Sequence, residues 1–133
     1  MPAKDGDMYT LYNKVSDALF NVECVVTPAA LQKGLSGRKN LQSGTGMFFL
    51  FPTLGKQTMW MPDMNFPLDV VWLDETLSVV HISYGLQPCV SRSNCPPASS
   101  IYDVKYAIEM LQGDSQKYGF SIGNTLQVAL NSA

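Results

Sequence analysis

The chain predicts a mainly β fold, a sandwich or barrel of about seven short strands with one or two short helices. Three observations carry that expectation. Short runs rich in Val, Leu and aromatic residues recur along the chain, Gly, Pro, Asp and Asn cluster between them, and one run alternates cleanly with period two. Hydrophobic residues make up 46% of the 133, enough for a core and too many for a disordered chain.

Taken in order, residues 1–18 read as an N-terminal arm. Met8, Tyr9, Leu11, Tyr12 and Val15 are interspersed with polar residues and look too sparse for an independent element. Such a segment orders only by docking, on its own domain or on a neighbour. A single domain, residues 19–133, follows. Residues 19–26 are a strand. Thr27 then suits a helix N-cap, with Pro28 at the first helical position and Gly34 at the end, so a helix is expected over 28–33. The apolar run 47–51, closed by Pro52, reads as a buried strand. Strands are also expected over 58–61, 68–73 and 77–84, the last two joined by a tight turn at Asp74-Glu75-Thr76. A proline-rich loop covers 85–100. In the next strand Tyr102, Val104, Tyr106, Ile108 and Met110 share one face, leaving Asp103, Lys105, Ala107 and Glu109 on a wetter one. A helical turn after Asp114 and a last strand over 125–130 complete the pattern.

Charged residues are only 15%, against about 25% in an average soluble protein, so part of the surface is expected to be apolar and to meet another chain. Net charge is −2 and the nine Lys and Arg residues are scattered, which argues against nucleic-acid binding through clustered cations. No apolar run approaches the about 18 residues of a membrane span. Lys4, Asp5, Asp7, Lys14 and Asp17 interrupt any signal-peptide core, so synthesis in a cytosol without a leader is expected.

Several blocks, in order, resemble an uncharacterised family, number 192 in the domain-of-unknown-function series. They are Thr27-Pro28, Gly34-Leu35-Ser36-Gly37-Arg38, Gly46-Met47-Phe48-Phe49-Leu50-Phe51, Trp60-Met61, Pro67-Leu68-Asp69-Val70-Val71-Trp72-Leu73-Asp74, Tyr106-Ala107-Ile108-Glu109, and the Gly113, Gly119, Gly123 series. The resemblance spans roughly residues 20–130 and leaves the arm outside. It implies a small β-sandwich with jelly-roll-like topology and no established activity. Two departures stand out: Pro62-Asp63-Met64 replaces a polar segment that usually ends in Asn-Thr, and Asn124 replaces the usual Asp after Gly123.

Groups able to do chemistry are few. His81, the one histidine, reads as a hydrogen-bonded strand residue rather than a base or metal ligand. Cys89 and Cys95 bracket a short loop, either joined in a disulfide or left as thiols in a reducing compartment; with Cys24 and His81 they match no zinc-site spacing. Cys24 reads as a small core residue. No Gly-x-Ser-x-Gly elbow or phosphate-binding loop is present, and no catalytic residue, metal or cofactor is expected. Asp69 lies inside an apolar run, where an unpaired charge is costly, so Arg38 or backbone donors are its expected partners.

Two functions compete. In the first, favoured here, the chain is a non-enzymatic repeated subunit of a larger assembly, partnered by itself or other proteins. Its contacts are the arm residues Met8, Tyr9, Leu11 and Tyr12 and the loop methionines Met61 and Met64. A virion decoration or cement protein is one concrete form, by analogy with jelly-roll capsid proteins. Deleting residues 1–15 is then expected to spare the fold and weaken association. In the second, a polar corner of Arg38, Trp60, Asp63 and Asp69 binds a small ligand or supports acid–base chemistry, and Asp69→Asn changes affinity more than stability.

Overall fold

A computed structural model describes residues 3–89 and 91–131. Nine strands and two short helices run in the order β1 (Met8–Asn13), β2 (Ala18–Val25), α1 (Pro28–Lys33), β3 (Thr45–Gly55), β4 (Thr58–Met59), β5 (Leu68–Leu73), β6 (Val79–Leu86), β7 (Ala98–Ser99), β8 (Val104–Leu111), α2 (Asp114–Lys117) and β9 (Leu126–Leu130). The expected mainly β, sandwich-like fold is present. Its principal layer is one seven-stranded mixed sheet, in the order β6-β5-β8-β3-β2-β1-β9, accompanied by a small β4-β7 ribbon. All pairings are antiparallel except β2 with β3, which run parallel because α1 carries the chain across between them.

The large sheet curls until its outer strands meet. Ser78 and Thr125 form an antiparallel bridge, and the N–H of Val79 donates to the carbonyl of Asn124 at 2.8 Å. All seven strands therefore turn residues onto one core, among them Tyr9, Phe20, Phe48, Val71, Ile82, Ile108 and Leu126. A second core lies on the other face of β3, β5 and β8. There Met47, Phe49, Val70, Trp72 and Ala107 are covered by Leu35, Met59, Met61 and Met64. Burial on both faces explains why the run 47–51 is continuously apolar and why Asp69 is the one polar residue of 68–73.

Local sequence accounts for the helix between the layers. The Thr27 side chain accepts a hydrogen bond from the Ala30 N–H, Pro28 opens α1, and Gly34 ends it with a φ of +51°. The Asp5 carboxylate reinforces the N-cap by accepting from the N–H groups of Val26 and Thr27 and from the Thr27 hydroxyl, at 2.6–3.1 Å. The Thr27 bond foremost, with those two backbone bonds, holds the Asp5 carboxyl below its ordinary range.

The structure corrects two sequence expectations. Residues 8–13 are an inner strand, not an arm: β1 pairs with β2 on one side and β9 on the other, and Tyr9 and Leu11 are each only 1% exposed. Their alternation with Met8, Thr10 and Tyr12 is that of a strand, but six residues gave it too little length to stand out. The domain thus includes β1 and does not begin at residue 19. The second correction concerns β8. Its alternation holds from Tyr106 to Met110, but the face assigned to water is covered, with Ala107 and Glu109 both buried. Val104 packs in the second core, where the β3–β8 register shifts between Leu50 and Gly55. No helix among the described residues is long and apolar enough to cross a membrane.

Candidate functional site

A cleft of about 410 Å³ opens over the second core. The end of α1 and the turn after it (residues 31–36) form one wall, Phe49 and Phe51 of β3 another, and Thr58, Met59, Trp60, Pro62, Asp63 and Met64 a third. Glu109 lies at its floor. Trp60 stands at the mouth with 51% of its surface exposed, whereas Glu109 keeps 4%. The third wall is held from two sides. The Cys89 N–H donates to the carbonyl of Met61 at 3.1 Å and the Gly37 N–H to that of Asp63 at 2.8 Å. Cys89 is joined to Cys95 by a disulfide, the first of the two alternatives left open by the sequence.

Glu109 is the unusual group of the molecule. The other buried carboxylates are fully served. Asp69 accepts from the N–H groups of Gly85, Gly113 and Ser115 and from the Ser115 hydroxyl, at 2.6–3.3 Å. Asp114 accepts from the Ser43 hydroxyl and the Gly44 N–H, both at 2.9 Å. Glu109 receives a hydrogen bond from the Leu35 backbone, while its Oε1 is the one buried side-chain polar atom among the described residues without a partner. Burial pushes its carboxyl up to about 8, the Leu35 bond acting in the opposite direction, so it holds its proton at neutral pH. Gly34 keeps the approach clear: a Cβ there would lie 3.2 Å from Glu109 Oε1 and 3.1 Å from the Phe49 ring.

The four-residue corner expected from the sequence is not assembled. Trp60 and Asp63 line the cleft, but Arg38 pairs with Glu23 at 3.0 Å in an adjoining groove, and Asp69 ties β5 to the 85 and 113–115 turns. Of Asp69's two expected partners the backbone is the true one. The expected contact residues are also mostly enclosed. Tyr9, Leu11, Met61 and Met64 are buried, leaving Met8 exposed and Tyr12 half-buried with its hydroxyl donating to Asp17 at 2.9 Å. His81 lies in β6, its ring edge-on to Tyr102 at 6.5 Å. Cys24 is a core residue, its thiol pushed up to about 12 chiefly by burial. Among the described residues no three His, Cys, Asp or Glu side chains are placed to hold a metal. Glu109 was missed because strand alternation placed it on a wet face; its one sequence signal was membership of the Tyr106-Ala107-Ile108-Glu109 block.

The fold is shared with solved proteins. A crystal structure described as a putative transcription regulator from Sinorhizobium meliloti superposes with a TM-score of 0.81, covering 96% of this chain and 98% of that one at 24% identity. A protein of unknown function from Novosphingobium aromaticivorans gives 0.79 over 90% of this chain and 83% of that one, also at 24%. No curated protein matches the chain. The family described as an uncharacterized ACR, domain-of-unknown-function family 192, matches residues 11–128, so its pattern begins inside β1 and takes in the strands and α1 wall that frame the Glu109 cleft. With nearly the whole domain accounted for in this way, the chain belongs to that family.

Proposed function

We infer that the chain is a small-molecule-binding module whose ligand occupies the cleft over Glu109. The observation that carries this reading is the unpartnered Glu109 oxygen at the foot of an open, aromatic-walled cleft. Leaving a buried polar atom unsatisfied costs about 1–3 kcal/mol, and a bound polar group would recover it. Apolar walls with one convergent polar group are the usual makeup of a ligand site. The surroundings favour binding over catalysis, since the described lining residues add Lys33 and Asp63 to Glu109 and include no histidine or cysteine. The S. meliloti protein's description speaks of transcription, but a net charge of −2 favours a small ligand over a nucleic acid here.

The test is a fragment screen read by tryptophan emission, with Trp60→Phe as control. Trp72 is buried, so a ligand at the cleft mouth should change the Trp60 contribution, and the control should lose that change. A chemically diverse library that leaves both emission and melting temperature unmoved would overturn the reading.

A second reading, the repeated subunit of an assembly with virion decoration as its concrete form, rests on one surface feature. The 14–17 turn is tied to the 118–124 loop by the Ser16 and Asn13 side chains, which donate to the carbonyls of Tyr118 and Gly119. Both segments carry exposed aliphatics, Val15 and Ile122. The native mass of the protein taken from its source tests it: a free 14.6 kDa monomer removes the reading.

A further inference from the structure

We propose that the ligand of the Glu109 cleft is an organic cation, an ammonium or amidinium group on a short apolar body, with the charged head against Glu109 and the body between Phe49, Phe51 and Trp60. The proposal rests on the binding reading above and names the ligand class. The walls supply three aromatic rings, the thioethers of Met59 and Met64, and the side chains of Leu31 and Leu35. Ring faces attract cations, most strongly where water is excluded, and an alkyl or aryl body fits the apolar remainder. The polar groups point the same way. Glu109 Oε1 has an open position and becomes an acceptor once the carboxyl ionises, and the last turn of α1 brings the negative end of a helix to the wall. Lys33 is the one cation among the described residues that line the cleft.

The alternative occupant is a neutral or anionic acceptor taking a hydrogen bond from protonated Glu109. The two differ in what happens to the proton. A cation draws Glu109 into its ionised form, so the carboxyl loses its proton to solvent as the ammonium–carboxylate pair forms; an acceptor keeps the proton in place. The groups able to modulate that step are Lys33 on α1 and Asp63 on the third wall. From the neighbouring strands Met47 and Val70 oppose Glu109 directly, and neither titrates.

The test uses three probes of one shape: hexylammonium, hexan-1-ol and hexanoate, titrated calorimetrically at pH 6, 7.5 and 9 in buffers of differing ionisation enthalpy. Hexylammonium should bind about tenfold or more tighter than the other two, with about one proton released at pH 6. Its affinity should rise by about tenfold per pH unit up to about pH 8 and then level. Glu109→Gln keeps a hydrogen-bond donor but cannot ionise, so it should weaken hexylammonium by about tenfold or more and abolish the pH dependence. Trp60→Ala, at an exposed position, should weaken binding several-fold and leave the pH dependence intact. Equal or tighter binding of hexanol or hexanoate overturns the cation, as does unchanged hexylammonium affinity in Glu109→Gln. Should that variant fold poorly, the wild-type pH profile decides the same question: affinity flat from pH 6 to 8 overturns the cation. Failure of all three probes also overturns the cation assignment. The cleft itself is judged separately: it survives if any bound probe or screening hit is weakened by Trp60→Ala, and falls with the fragment screen.

Discussion

Replacing Glu109 by Gln should change how stability depends on pH, and the structure sets the size of the effect. The Glu109 carboxyl is raised from an ordinary 4.5 to about 8 by burial. Each tenfold change in proton affinity corresponds to about 1.4 kcal/mol, so ionising this group inside the fold costs on the order of 5 kcal/mol. The sign follows from proton counting. Between pH 4.5 and 8 the unfolded chain has released the Glu109 proton and the folded chain still holds it. Stability therefore falls as pH rises through that window, by about 1.4 kcal/mol per pH unit, and levels above it. Below pH 4.5 both states hold the proton and the contribution is complete. Glu109→Gln cannot titrate, and every other ionisable side chain is common to both proteins. The difference between the two isolates Glu109. Urea denaturation followed by tryptophan emission at pH 5, 6.5, 8 and 9 measures it. Wild type should match or exceed the variant at pH 5 and lose on the order of 4 kcal/mol relative to it by pH 9. A difference that stays constant to within about 0.5 kcal/mol across that range would refute a buried, uncompensated carboxyl.

Three further outcomes follow from other parts of the molecule. Asp69→Asn presents an amide NH₂ to N–H donors of Gly113 and Ser115 or of Gly85, and should lower unfolding free energy by about 2–3 kcal/mol in urea titrations while leaving ligand affinity at the cleft unchanged. That reverses the order of effects anticipated for a site residue. Cys95→Ser opens a loop of sequence separation 6 and should cost about 2 kcal/mol under oxidising conditions, with no difference from wild type once both are treated with dithiol reductant. Removing residues 1–13 strips out the burial of Tyr9 and Leu11, worth about 3–6 kcal/mol before any lost strand pairing, and should abolish the cooperative melt by circular dichroism. A cooperative transition in the truncated chain would restore the arm.

What was legible in the sequence is what depends on local pattern. The Thr27–Gly34 punctuation located α1 to the residue, because capping chemistry acts over a single turn. The run 68–73 was recognisable because a strand buried on both faces has few polar positions to interrupt it. Asp69 was rightly singled out as a charge that must be satisfied, but its donors come from residues 85 and 113–115, a distance in sequence that no local pattern encodes. Glu109 failed for the same reason. Alternation says which residues share a face; whether that face meets water depends on α1 and the 59–64 segment, which belong to other parts of the chain. The Met61 and Met64 side chains show the converse, since soft side chains next to a loop suit a contact surface and a buried core equally well by sequence alone.

The place of β1 between β2 and β9 has a consequence for how the protein is made. On a ribosome the first strand emerges early and can pair with β2 as a hairpin, but its other edge stays open until residues 126–130 have cleared the exit tunnel. Until then Tyr9 and Leu11 lack Leu126 and Val128, and the bridge between Ser78 and Thr125 that brings the outer strands together cannot form. The nascent chain thus carries an unpaired, partly apolar edge from the emergence of β1 until that of β9, and the sheet is completed by that strand.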